Sequence, residues 1–153
     1  MRIFLALGLL AALLPATAAS ANDTGPAFDA ELAERLGADN YGMRIYVLVM
    51  LEPGEARIDD AERLAEIQQG HMAHIRTLAA AGQLVLAGPV LDAEDLRGIF
   101  ILAVDDLEQA RALVAEDPAV KAGRLQMRLL RWYGSAALPE LAELHARIAR
   151  QSP

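Results

Sequence analysis

From Arg44 to Leu51 the chain is an almost unbroken run of Ile, Tyr, Val, Leu and Met, rich in β-branched types and closed by Pro53-Gly54. A strand with one wet face alternates apolar and polar residues. This run does not alternate, so it reads as a strand buried on both faces and followed by a turn. A chain that contains such a strand must supply a layer on each side of it. One layer is the amphipathic stretch Leu64 to Gly82. At about 100° per residue, Leu64, Ile67, Ile75 and Leu78 fall on one arc, Asp59 or Asp60 can cap its start, and Gly82 stops it. Further strands are expected over Gln83 to Val90, Gly98 to Val104 and Arg124 to Tyr133, and a second helix over Asp106 to Ala115. The order is βαββαβ. A short helix within Phe28 to Leu36, with Asp29 near its start and Gly37 as its stop, precedes this core, and a terminal helix over Pro139 to Arg150 follows it.

The other layer is harder to find. In a βαββαβ sandwich both helices cover the same face of the sheet. The strand at Gly98 to Val104 is also apolar on both sides, while the last strand begins by alternating, with Leu125, Met127 and Leu129 on one side and Gln126 and Arg128 on the other. A single chain this short has no third layer to spare. A second copy packed sheet against sheet is the simplest cover, so a homodimer is expected; the alternative is that the terminal segments fold back over that face.

Residues 1–21 carry one charge, Arg2, then an apolar core from Ile3 to Leu14, a helix-ending Pro15 and small residues up to Ala19-Ser20-Ala21. That is the layout of a cleaved secretory signal, and its apolar core is shorter than a bilayer-spanning helix requires. The expectation is an exported protein, periplasmic or secreted, with no membrane attachment after cleavage. Residues 22–42 would form an N-terminal extension, 43–134 the main domain and 135–153 a C-terminal helical extension. The chain has no cysteine, so an ordinary apolar core rather than disulfides must hold it together despite export. Its net charge is −7, and cleavage at Ala21 would remove one basic group more; such a surface repels phosphate backbones and anionic lipids, which argues against a nucleic-acid or membrane partner.

One residue breaks the helix pattern. His71 projects from the middle of the arc formed by Leu64, Ile67, Ile75 and Leu78, and His74 sits at the arc's edge. A core-facing imidazole must find a hydrogen-bond partner or lose roughly 1–3 kcal/mol. His71 is therefore either a buried histidine bonded to a backbone carbonyl or a functional group. Metal binding is disfavoured: His71-x-x-His74 offers two imidazoles a turn apart, but no third ligand accompanies them on that face. No glycine-rich phosphate loop and no G-x-S-x-G nucleophile turn occurs, so no cofactor is expected.

Four segments, taken in order, resemble the YCII-related family: Gly70-His71-Met72-Ala73-His74-Ile75; Gly82-Gln83-Leu84-Val85-Leu86-Ala87-Gly88-Pro89; Arg97-Gly98-Ile99-Phe100; and Glu116-Asp117-Pro118-Ala119-Val120-Lys121-Ala122-Gly123. The resemblance runs from about Arg44 to Tyr133. It implies an α+β, ferredoxin-like fold, a four-stranded antiparallel sheet with helices on one face, assembled as a dimeric α/β barrel. It also implies an active site built from the helix histidine and the aspartate of the Asp-Pro pair, here His71 and Asp117.

On that basis His71 can act as general acid or base, and Asp117 can fix its tautomer and stabilise its charged form. Asp117-Pro118 is also an ordinary helix terminator, in which case the carboxylate is idle. Gly88-Pro89 can shape the pocket mouth through a fixed turn, or simply end a strand. Arg97 can hold a carboxylate or phenolate, or form a surface ion pair with Asp92, Glu94 or Asp95. His74 is either a ligand contact or a partly covered side chain, and Trp132 and Tyr133 read as packing residues. The expected function is that of a small-molecule enzyme working without a cofactor through a His71–Asp117 acid–base pair, by elimination, isomerisation or hydrolysis. A non-catalytic ligand-binding protein and a structural dimer module are the alternatives.

Overall fold

The computed structural model describes residues 25–151; the expected signal segment, 1–21, lies outside them. A short helix α1 (Ala30–Leu36) is capped by the Asp29 carboxylate and ended by Gly37 in the left-handed region, as its sequence signals require. Then follow β1 (Met43–Pro53), α2 (Ala61–Ala80), β2 (Leu84–Pro89), β3 (Gly98–Leu102), α3 (Leu107–Ala115), a one-turn helix α4 (Pro118–Lys121), β4 (Leu125–Ser135) and α5 (Leu141–Ile148). The sheet has the order β2-β3-β1-β4 and every pairing is antiparallel. That is the ferredoxin-like α+β topology. The Asp60 side chain accepts from the Arg63 N–H and starts α2, and the Asp106 side chain does the same for α3.

Register separates the two faces of the sheet. Val47, Val49 and Leu51 of β1 are level with Leu102, Phe100 and Gly98 of β3 and with Arg131, Leu129 and Met127 of β4. Val47, Val49, Leu51, Phe100 and Leu102 of these, with Leu78 of α2 and Ala110 and Val114 of α3, form the buried core, while Arg131 is exposed. Leu125, Met127 and Leu129 pack on its edge, and the intervening Gln126 and Arg128 are exposed, as their alternation predicts.

The opposite face carries Tyr46, Leu48 and Met50 of β1, Ile99 and Ile101 of β3, and Leu130 and Trp132 of β4. Part of it is closed by the chain's own ends. Tyr46 is fully buried; its hydroxyl donates to the Ser135 carbonyl (2.9 Å), its ring lies 5.8 Å from that of Trp132, and the Arg44 guanidinium sits over it. The 3-10 turn at Leu138–Glu140 reaches β2, and Glu140 pairs with Arg35 of α1 at 3.0 Å. Asp39 fastens the start of β1 by accepting from the N–H groups of Tyr41 and Met43 and from the Tyr133 hydroxyl, and the tyrosine's hydrogen bond holds the Asp39 carboxyl below its usual range. Tyr133 is thus a polar anchor on an exposed ring.

Candidate active site

α2 presents His71 toward the sheet, and the chain after α3 brings Asp117 to meet it. The distance from His71 Nδ1 to Asp117 Oδ2 is 2.7 Å. A carboxylate can only accept, so Nδ1 carries the proton and donates it, leaving the Nε2 lone pair for other use. Asp117 is 0% exposed, and its other oxygen accepts from the Ala119 N–H at 2.8 Å. The carboxylate is held at both oxygens.

The positioning of Asp117 departs from the expectation of a helix end. Asp117 does follow α3, but it is at once the N-cap of α4, with Pro118 in the first helical position. Aspartate followed by proline starts helices as readily as it ends them, because the cap accepts an N–H and proline needs none. The one-turn helix fixes the carboxylate without using the oxygen that faces His71.

Gly70, the neighbour of His71, makes the approach possible. A Cβ placed there would lie 2.9 Å from Pro118 Cγ and 3.1 Å from its Cβ. The proline ring cannot swing aside, so Gly70→Ala must push α4 away from α2. We expect that variant to remain folded while its His71–Asp117 hydrogen bond lengthens, visible as a loss of the protected imidazole proton in NMR spectra. An unchanged imidazole signal would show that Gly70 has no such part.

The His71 side chain is 13% exposed and opens on a cavity of about 610 Å³, within the range that holds a compact organic ligand. Among the described residues His71 Nε2 has no hydrogen-bond partner, and no buried side-chain nitrogen or oxygen lacks one. Nε2 is therefore open to the cavity side rather than sealed in the core. The Phe100 ring lies parallel to the imidazole, 6.1 Å between centroids and 20° between planes. Leu51, Met72, Ile75 and Leu125 add apolar wall, and Gly88, Pro89 and Arg97 line the cavity as well.

Not every expected site residue is part of this wall. The Nε2–H of His74 donates to the Leu113 carbonyl at 3.0 Å, which ties α2 to α3, and His74 does not line the cavity. Gly88-Pro89 makes no turn: both residues are paired in β2, opposite Ile99 and Gly98. Proline is tolerated there because β2 is an edge strand. Arg97 forms no ion pair with Asp92, Glu94 or Asp95. Two charged residues of the cavity, Arg57 and Arg124, are not singled out as site residues by the sequence. Neither sits in a periodic pattern, and only the approach of the β1–α2 loop to the start of β4 reveals them. Among the described residues no three His, Cys, Asp or Glu side chains gather closely enough to hold a metal ion.

Fold and site define a small ferredoxin-like domain with a ligand-sized cavity backed by a buried carboxylate–imidazole pair. The chain belongs to the YCII-related family, whose domain matches residues 43–132, from the start of β1 almost to the end of β4. No curated protein matches it. Among solved structures it is similar to 5-chloro-2-hydroxyhydroquinone dehydrochlorinase (TftG) from Burkholderia phenoliruptrix AC1100 in complex with 2,5-dihydroxybenzoquinone, at 21% identity and a TM-score of 0.42, over 58% of this chain and 93% of that one.

Proposed function

We propose that the protein is an exported small-molecule enzyme that works without a cofactor, with His71 as its acid–base group and Asp117 as the residue that orients it. The observation that carries this reading is the 2.7 Å bond from Nδ1 to a wholly buried carboxylate, made by an imidazole whose Nε2 is unpartnered. A histidine kept only for packing needs one partner and no open nitrogen. Here the partner is the one group that favours a charged ring, and the unpaired nitrogen is on the ligand side.

In the proposed reaction, Nε2 takes a proton from a carbon beside a carbonyl of the bound molecule. Asp117 stabilises the imidazolium that results. The proton then returns to another atom of the same molecule, completing an isomerisation, or to a departing group, completing an elimination. Activation of a water for hydrolysis uses the same nitrogen. Nothing in this scheme needs a nucleophilic side chain.

The test is proton exchange. Small carbonyl compounds that bind the protein are incubated in heavy water and followed by NMR for deuterium uptake at the α-carbon. The wild type is expected to catalyse uptake, and His71→Gln to slow it by about 10²-fold or more. Binding by several such compounds with no uptake for any would contradict the proposal.

We also propose that two copies pack through the sheet face that carries Leu48, Met50, Ile99 and Leu130. Leu130 is 42% exposed on it although the chain's own ends cover the Tyr46 region. Light scattering on the chain from residue 22 onward should give the mass of two copies, and Leu130→Asp the mass of one; a monomeric wild type would overturn this.

A further inference from the structure

The cavity is positively charged in an acidic protein. Among the described residues its wall includes three arginines, Arg57, Arg97 and Arg124, and neither Asp nor Glu. The whole chain carries −7. Elsewhere four basic side chains are neutralised in ion pairs: Arg35 with Glu140, Arg63 with Glu66, Lys121 with Glu116 and Arg128 with Glu52. Arg57 spends one nitrogen on the carbonyls of its own loop, Gly54, Glu55 and Ala56. Among the described residues the side chains of Arg97 and Arg124 form no ion pair, although three acidic residues stand within five positions of Arg97.

Both unpaired arginines spring from fixed backbone. The Arg97 N–H donates to the Leu51 carbonyl at 2.7 Å and its carbonyl accepts from Val90 at 3.0 Å; the Arg124 N–H donates to Ala119 at 3.0 Å and its carbonyl accepts from Gly54 at 2.8 Å. Arg97 leads into β3 and Arg124 into β4, at the cavity end of the sheet. Apart from Gln68 and His71 the remaining wall is apolar, and Phe100 presents an aromatic ring beside His71.

We propose that the ligand of this site is a small organic carboxylate with a planar, unsaturated or aromatic body, its carboxylate bound by Arg97 and Arg124 and its body lying along Phe100 toward His71. This rests on the reading of the cavity as the ligand site. Carboxylate is favoured over a single-oxygen anion because a guanidinium is a fork of parallel N–H donors that matches two oxygens in one plane, and two such groups give four donors for the two oxygens. The apolar walls exclude a highly charged or sugar-like body, since its polar groups would lose water without finding partners.

The experiment measures binding of benzoate, cinnamate, fumarate and 2-furoate by calorimetry, each beside its neutral amide and beside phenolate-forming nitrophenols. Wild type, Arg97→Gln, Arg124→Gln, the double variant and His71→Gln are compared, with circular dichroism to verify folding; both arginines are exposed, so the fold should persist. At least one carboxylate should bind more than about 10-fold tighter than its amide, each single arginine variant should weaken it by about 10-fold, and added salt should weaken it further. His71→Gln should keep the preference for carboxylate over amide, because the carboxylate contacts lie elsewhere. The proposal is overturned if no carboxylate outcompetes its amide, if nitrophenolates bind and carboxylates do not, or if the double variant binds as wild type does. Its failure is separable from that of the acid–base reading: deuterium uptake by neutral ketones without carboxylate binding removes only the anion, while arginine-dependent carboxylate binding without any proton exchange removes only the catalysis.

Discussion

Asp117→Asn is expected to leave the protein folded and to remove the proposed proton-transfer activity, lowering turnover by about 10³-fold, within the 10²–10⁴ range typical of such groups. Asn at 117 still offers an oxygen to the Ala119 N–H, so the start of α4 is preserved. Its other atom becomes an N–H₂ donor facing His71 Nδ1. The imidazole must then accept at Nδ1 and carry its proton on Nε2, the nitrogen that must be bare to act as a base. The change is therefore one of tautomer, with stability expected within about 1 kcal/mol of wild type. The deuterium-uptake assay and a denaturation curve together check it. Equal loss of activity and stability would mean that Asp117 serves only to hold α4, and unchanged activity would mean that the pair is not the working group. His71→Ala is a poorer probe, because it strands a fully buried carboxylate and so mixes catalytic and structural loss.

Gly54→Ala is expected to cost about 3–5 kcal/mol and lower the melting temperature by about 10 °C or more. A Cβ on Gly54 would lie 2.0 Å from the Gly123 carbonyl oxygen, 2.7 Å from its carbon and 2.8 Å from the Arg124 carbonyl carbon. All three are backbone atoms that no rotamer change can move. Nor can the two segments part freely: the Gly54 N–H donates to the Arg124 carbonyl at 2.8 Å and the Ala56 N–H to the Gly123 carbonyl at 3.1 Å. The same crossing forms one wall of the cavity, so ligand binding should fall with stability. Gly88→Ala is the internal control, since a Cβ there meets nothing within 4 Å. Differential scanning calorimetry decides, and a Gly54→Ala melting point within about 2 °C of wild type would contradict the packing described.

The elements of the fold were legible because their signals are local. The unbroken β1 run, the arc of α2, and the caps at Asp29 and Asp60 each lie within one segment and each needs no knowledge of the rest. His71 was legible for the same reason, as a polar residue in an apolar arc. Its partner was not, in the residues alone: Asp117 is 46 positions away, and only the family resemblance pairs the two. Asp117-Pro118 also carries two opposite local meanings, stop and start, and the structure uses both. His74 shows the limit from the other side. Its position at the arc's edge fitted either reading, and it was a carbonyl on α3, invisible in the pattern of α2, that engaged it. Arg57 and Arg124 escaped notice because an arginine in a loop or at a strand start is ordinary; what makes them unusual is that no carboxylate lines the same cavity. Gly70 stood out only as part of a motif, and its reason, the proline ring of α4 against α2, belongs to tertiary packing.

The proposed chemistry depends on one proton, and its position can be observed directly. In protein labelled with nitrogen-15 in the histidine rings, long-range proton–nitrogen correlation spectra near neutral pH should show His71 with its proton on Nδ1, strongly downfield and slow to exchange, and with Nε2 bare; Asp117→Asn should move that proton to Nε2. A wild-type His71 that already carries its proton on Nε2, or whose ring proton exchanges as freely as that of a solvated histidine, would contradict the pairing and the chemistry built on it.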